Sequence, residues 1–256
     1  MPNTRLPVLE PVPVIEQVRW GVDAIDPWLR AMRPRCASFL PPVCIGLLDT
    51  GINLEHVAFS GASIVARSFI GSSDLEDTVG AGTHHAGLLV AQPESGNAGL
   101  CPDAILFVAK VCQPGQTFEQ LEDATYKALL WLAKVECSLI LLPEGSPHNS
   151  ALIRLGLDAL MAQGAVILAG VGEAGGELPL FPAAMRGVLA VSALARDGRP
   201  LAGSYAGADV EVWAPGEALI SASTQGWSAR SGSAAATVIA GGLLVRSLSD
   251  YSLRSG

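Results

Sequence analysis

Three short stretches of this 256-residue chain carry residue types that could act together in nucleophilic catalysis. Asp49 ends an apolar run, His84 and His85 stand in "GAGTHHAG", and Ser231 and Ser233 stand in "SGSAAAT". Catalysis by a serine hydroxyl needs a histidine to take its proton, an acid to orient that histidine, and donors for the oxyanion. The residue types for acyl transfer are therefore present, in the order aspartate, histidine, serine.

The elements that must position these residues are those of a layered α/β protein. Apolar runs with the profile of buried parallel strands alternate with two helical patterns, at residues 118–135 and 151–163. The runs cover residues 43–52, 104–112, 137–143, 164–172 and 187–194. This alternation predicts a three-layer α/β/α fold with a mainly parallel central sheet.

The chemistry of such sheets gathers at the carboxyl ends of the strands. Three polar stretches follow apolar runs in this way: Asp49, residues 143–146 and residues 172–175. The sequence therefore predicts that these stretches share one edge of the sheet.

Bulk properties exclude several function classes. The net charge of −8 and the absence of a Lys/Arg cluster argue against nucleic-acid binding. The apolar runs at 159–172 and 231–245 are shorter than the roughly 18 residues that a membrane-spanning helix needs. The five cysteines form no metal-ligand spacing, and they indicate free thiols in a reducing cytoplasm. We expect no cofactor and no bound metal, with Asp74, Glu76 and Asp77 forming a solvated acidic loop.

The domain organisation follows from the same pass along the chain. Residues 1–19 are rich in proline and predict an extended arm, and residues 20–256 predict one domain.

A series of motifs in this order resembles the subtilisin-like serine proteases (subtilases). "WGVDAI" is similar to the start of the catalytic domain, and "LLDTGINLEHVAFSG" to the aspartate motif. "GAGTHHAG" stands where the family writes G-H-G-T-H-V-A-G, and "SGSAAAT" where it writes S-G-T-S-x-A-T. The segment "INLEHVAFSGA" is similar to the cyanobactin-type subtilases, which mature ribosomal peptides. The resemblance implies a subtilisin-like fold.

The resemblance places Asp49 as the triad acid but Ala81 at the histidine position. His84 matches the family's second, structural histidine, and His85 lies one helical turn after Ala81. One turn displaces a residue by about 5.4 Å along the axis, which exceeds what catalytic geometry tolerates. We therefore expect His85 to be a packed helix residue, with a role as an alternative base left open.

The nucleophile position has two alignments. Keeping Ser231 and Gly232 in step with the family puts Ala234 at the nucleophile, and this alignment is preferred because more of the motif agrees. Sliding the motif by one residue makes Ser233 the alternative nucleophile.

The oxyanion position and the groove also depart from the family. Glu173 aligns with the oxyanion asparagine, and a carboxylate accepts hydrogen bonds where a donor is needed. Pro143, Glu144 and Gly145 stand where the family has the segment that pairs with the peptide, and Gly115 and Gln116 fall on the opposite wall. Peptide binding by strand addition is expected to be weakened but not lost.

Three functions stay open at this point. The first is a natural pseudoprotease that binds a peptide or a partner protein, for example beside an active protease subunit in peptide maturation. The second is an active serine endopeptidase that uses Ser233 and Asp49 with an unorthodox base, or an engineered inactive form of a peptidase. The third is a structural or oligomer-building domain whose groove is filled by the chain's own side chains or by its N-terminal arm.

Overall fold

The computed structural model describes residues 9–36, 39, 41–172 and 178–252, and the last four of these by their backbone alone. Its centre is a seven-stranded sheet in which every neighbouring pair of strands is parallel. The strands, in chain order, are β1 (Cys44–Asp49), β2 (Ile64–Ser68), β3 (Ile105–Lys110), β4 (Leu139–Leu142), β5 (Val166–Gly170), β6 (Leu189–Leu194) and β7 (Val212–Pro215). Their spatial order is β2-β3-β1-β4-β5-β6-β7.

The described part of the chain also contains six α-helices, four short 3-10 helices and one hairpin. The α-helices are α1 (Val14–Val18), α2 (Val22–Met32), α3 (Ala81–Val90), α4 (Phe118–Lys134), α5 (Ala151–Ala162) and α6 (Ser233–Ser252). Strands β8 (Leu219–Ala222) and β9 (Trp227–Arg230) pair antiparallel and lead directly into α6.

The sheet is buried on both faces because its side chains alternate between two apolar clusters. In β4, Leu139 and Leu141 belong to the cluster that includes α1, α2, α3 and α6. Ile140 and Leu142 belong to the cluster formed with α4 and α5. The three-layer α/β/α fold predicted from the apolar runs is therefore confirmed.

The N-terminal segment differs from the extended arm that the prolines predicted. Residues 14–18 form α1, in which Val14 and Val18 are fully buried against the core. The side chain of Gln17 bonds the backbone of Ile220 through both its amide nitrogen (2.9 Å) and its amide oxygen (2.6 Å). Apolar side chains spaced four residues apart outweigh the preference of the preceding prolines for extended backbone. Residues 1–8 lie outside the described residues.

Candidate active site

Asp49 is the last residue of β1, and its side chain is fully buried. Its Oδ1 accepts hydrogen bonds from the backbone N–H of Thr50 (2.8 Å) and from the Thr50 hydroxyl (3.3 Å). Its Oδ2 lies 2.7 Å from Nδ1 of His85. The carboxylate at the position of the triad acid therefore has a histidine partner.

The contact between Asp49 and His85 corrects the expectation that one helical turn would keep His85 out of reach. Side chains on a helix lean toward its N-terminus and cover the turn before their own Cα. The His85 ring therefore extends back over the turn that begins at Ala81, where a methyl group leaves it room. The predicted packing of this histidine is seen as well, because its side chain is only 3% exposed.

The loop before α3 is held by Asp77, which the sequence analysis wrongly placed in a solvated acidic loop. Asp77 is buried, and its carboxylate accepts hydrogen bonds from Thr50 Oγ1, Gly80 N–H and both the N–H and the hydroxyl of Thr83, at 2.7–2.8 Å. Burial alone would raise the pKa of Asp77, but these hydrogen bonds outweigh it and the pKa is lowered. Asp77 thus fixes the start of the helix that carries both histidines.

His84 joins α3 to the β8–β9 hairpin. Its Nε2 donates to the carbonyl oxygen of Leu219 (2.9 Å), and Ser221 donates its hydroxyl to the His84 carbonyl (2.8 Å). Burial, reinforced by the neighbouring His85, lowers the pKa of His84 to about 3. The fully buried Ser221 thus helps to hold α3 on the hairpin, and the His84 and His85 rings lie 5.9 Å apart between centroids.

The serine motif spans the start of α6. Ser233 is the first residue of the helix and is only 2% exposed, and its Oγ accepts a hydrogen bond from the N–H of Gly172 (3.1 Å). Ala234 follows it and is half-buried. Ser231 is exposed, and its Oγ accepts from the N–H of Ala218 (2.9 Å).

These residues meet at a cavity of about 440 Å³, which we call the first cavity. Its lining unites α3, the segment after β4 and the start of α6. Ala81, His85, Ser233 and Ala234 all contribute to it. The structure thus brings together the predicted histidine and nucleophile positions with their alternatives.

A second cavity of about 390 Å³ lies beside the first. Its wall is mainly apolar and includes Val111, Phe118, Leu121, Leu142, Ile153 and Phe181. Both cavities are lined by Ala81, Glu144, Gly145 and Arg230, so they meet at these four residues.

The predicted groove walls are placed as follows. Pro143 and Glu144 line the first cavity with Gly145, and the next residue, Ser146, pairs antiparallel with Phe181. The opposite wall contains Cys112, Gln113 and Phe118 rather than Gly115 and Gln116. The Gln116 side chain instead donates to the carbonyl of Val111 (3.0 Å) and accepts from the N–H of Gln113 (3.0 Å), so it stabilises its own loop.

Arg230 is a site residue that the sequence analysis missed. It ends β9, and its Nη2 donates to the carbonyl of Val79 (2.6 Å) beside Ala81. Its Nε is buried and has no hydrogen-bond partner among the described residues. The only sequence signal is its position directly before the serine motif.

One predicted site residue cannot be placed. Glu173 lies outside the described residues, so its role at the oxyanion position stays a prediction. Within the described part of the chain, no three His, Cys, Asp or Glu side chains are grouped to hold a metal ion. No helix there is long and apolar enough to cross a membrane.

Comparison with known proteins identifies the family. Residues 42–253 match the model of the Subtilase family (Peptidase S8). Subtilisin DY from Bacillus licheniformis is 30% identical over 191 residues, which span 70% of this chain and 66% of that protein. The structure of the prenylagaramide maturation protease PagA superposes with a TM-score of 0.71 at 22% identity, covering 90% of this chain and 82% of PagA. A serine-to-alanine mutant of the protease domain of PatA gives 0.73 at 23% identity, covering 83% and 81%. The chain belongs to the subtilase family.

Proposed function

We propose that the protein is a non-catalytic subtilase that binds a peptide, or a partner protein through a peptide segment. The observation that carries the proposal is that Ala81 and Ala234 both line the first cavity. A methyl group can neither accept a proton from a serine nor attack a carbonyl carbon. The resemblance puts Ala81 where the family pattern has its base and, in the preferred alignment, Ala234 where it has its nucleophile.

The neighbouring serine supports the same proposal. Ser233 Oγ is buried and already accepts a hydrogen bond from Gly172 N–H. No hydrogen bond joins Ser233 to His85 among the described contacts, so the proton path of a serine nucleophile has no first step. In this arrangement Ser233 holds the end of β5 against α6.

The groove keeps the features that a bound peptide needs. Gly145 lines both cavities, and no hydrogen bond joins its backbone to the described residues, so its N–H and C=O are available to an extended peptide. The apolar second cavity can take a side chain of that peptide. The likeness to PagA, a maturation protease, favours a role as a recognition or scaffolding subunit in peptide maturation, beside an active protease.

A second candidate is an active serine endopeptidase that uses Ser233 and His85. The hydrogen bond between Asp49 and His85 favours it, because an acid that orients a histidine is one half of the catalytic machinery. In this candidate the buried Ser233 hydroxyl would have to leave Gly172 and turn toward His85.

Reaction with a fluorophosphonate probe separates the two candidates. We expect no labelling of the purified protein under conditions in which subtilisin DY is labelled to completion. Labelling that maps to Ser233 and disappears in both Ser233→Ala and His85→Val, but persists in Ser231→Ala, would establish the active candidate instead.

A further inference from the structure

The replacement of a histidine by Ala81 changes the shape of the groove as well as its chemistry. Ala81 lines both cavities, together with Glu144, Gly145 and Arg230. An imidazole at position 81 would extend into the space where the two cavities meet, whereas the methyl group of Ala81 leaves that space open. The groove therefore runs from an apolar half, with Phe118 and Ile153, to a half that is lined by the start of α6.

The second half of the groove is rich in hydrogen-bond donors. The Arg230 guanidinium lines it, held in place by its bond to Val79 O, while its Nε lacks a partner among the described residues. Ala234 and Ala235 also line it, and their N–H groups belong to the first turn of α6, where no intrahelical acceptor exists. The positive end of this 20-residue helix adds to the field of Arg230.

A buried side chain points to a ligand in addition to the backbone of the helix end. Ser233 lines the first cavity and is only 2% exposed, and its Oγ accepts a hydrogen bond from the N–H of Gly172. Its hydroxyl hydrogen has no acceptor among the described residues. The one acidic side chain in the lining is Glu144, and it is exposed at the rim. The Arg230 guanidinium, the Ser233 hydroxyl and the first N–H groups of α6 thus offer donors to one cavity, which favours an anionic group.

The place of the cavity decides which anion it can take. In a serine protease, the carbonyl carbon of the cleaved residue lies against the nucleophile, which the family pattern puts at position 234. A peptide that follows the Gly145 edge therefore brings a backbone carbon to Ala234. Because Ala234 has no nucleophilic side chain, the groove at this position has room for a peptide backbone that ends in a carboxylate.

We propose that the first cavity captures the C-terminal carboxylate of a peptide, with Arg230 and the N–H groups of Ala234 and Ala235 as its donors. This inference rests on the proposed function, since it names the end of the peptide that the groove recognises. The side chain upstream of the carboxylate would occupy the apolar second cavity through the opening at Ala81.

The test uses the whole 256-residue chain and two matched peptide pools. N-acetylated tetrapeptides randomised at all four positions are made once as free acids and once as C-terminal amides. Retention by the immobilised protein is measured by mass spectrometry, and the dissociation constants of the best acid and its amide follow by calorimetry. We expect the acid to bind at least tenfold more tightly, since one charge-assisted hydrogen bond of about 1.4 kcal/mol corresponds to a factor of ten.

Two variants tie that ratio to the cavity. Arg230→Gln should reduce the acid-to-amide ratio toward one, whereas Arg199→Gln, which changes an exposed arginine outside both cavities, should leave it unchanged. Thermal unfolding of each variant shows whether it is folded. The acid-to-amide ratio of the unaltered protein tests the proposal even if a variant does not fold.

The outcomes are distinguishable. Equal retention of acids and amides would overturn the carboxylate site while leaving peptide binding intact. Equal binding of a longer peptide that carries an internal glutamate would show that a side-chain carboxylate suffices, and it would overturn recognition of the C-terminus. Retention of neither pool would overturn the proposed function together with this inference.

Discussion

The two halves of the site have kept different amounts of the serine-protease arrangement. At the end of β1, Asp49 still has a histidine partner, although that histidine comes from position 85 instead of 81. At the start of α6, Ala234 has no polar side chain, and Ser233 bonds the backbone of Gly172. One half therefore contains an acid–histidine contact, whereas in the other half the serine hydroxyl bonds backbone.

Folding explains this difference without any appeal to catalysis. Asp49 is fully buried, and a buried carboxylate is costly unless it is paired and hydrogen-bonded. The chain therefore needs a partner for Asp49 whether or not it cleaves peptides. A nucleophilic serine at position 234 has no such structural role, since the half-buried Ala234 leaves no polar group without a partner. An aspartate–histidine contact is thus weak evidence for activity when no serine is hydrogen-bonded to that histidine.

The largest effect is expected when the base is returned to position 81. We expect fluorophosphonate to label Ala81→His/His85→Val/Ala234→Ser about 10²-fold or more faster than Ala81→His/Ala234→Ser, the range of a general base. In the double variant His85 still occupies Oδ2 of Asp49, so the new histidine lacks its orienting acid. The labelling rates of the two variants are measured by mass spectrometry. Both variants keep Glu173, so the predicted oxyanion position does not affect the comparison. Equal rates would show that His85 does not compete for Asp49.

A smaller effect is expected on stability when the histidine partner is removed. His85→Val should lower the free energy of unfolding by about 3–5 kcal/mol, because it leaves the Asp49 carboxylate buried with only Thr50 as a partner among the described residues. Urea denaturation at pH 7.5 measures the change. The matched control is Asp49→Asn/His85→Val, which removes the buried charge as well and should be more stable than His85→Val alone. If the single variant were as stable as the unaltered protein, the structural reason for keeping His85 would be wrong.

Burial and periodicity made most of the sheet predictable from the sequence. The apolar run at 104–112 and the helical pattern at 118–135 correspond to β3 (Ile105–Lys110) and α4 (Phe118–Lys134) within two residues at each end. Strands that are buried on both faces have continuous apolar runs, so they stand out. The hairpin β8–β9 was missed because β9 is partly exposed and neither strand lies in a long continuous apolar run, unlike the equally short but fully buried β4.

The site was less predictable because its geometry depends on side-chain direction. Sequence spacing put His85 one turn away from the family position, but spacing does not show that a helical side chain leans back toward its own N-terminus. Arg230 gave no signal, since its role depends on the contact between β9 and the Val79 carbonyl, 151 residues away in the chain. Asp77 appeared to be a loop acid because its partners, Thr50 and Thr83, belong to two other segments.

The smallest of the expected effects concerns His84, which lies next to His85 but has no catalytic part in either candidate function. Burial lowers the pKa of His84 to about 3 in the folded protein, whereas an unfolded histidine titrates near 6.5. As the pH falls below about 6.5, His84 is protonated in the unfolded chain but stays neutral in the folded chain. The free energy of unfolding therefore decreases until the pH reaches about 3. Between pH 7 and pH 5 the loss should be about 2 kcal/mol by linkage.

Urea denaturation at pH 7 and pH 5 measures this loss, and His84→Gln should reduce it, because glutamine can still donate to the Leu219 carbonyl but does not titrate. His148→Gln is the matched control, since His148 is exposed and its replacement should leave the pH dependence unchanged. A slope that stayed the same in His84→Gln would assign the pH dependence to another group.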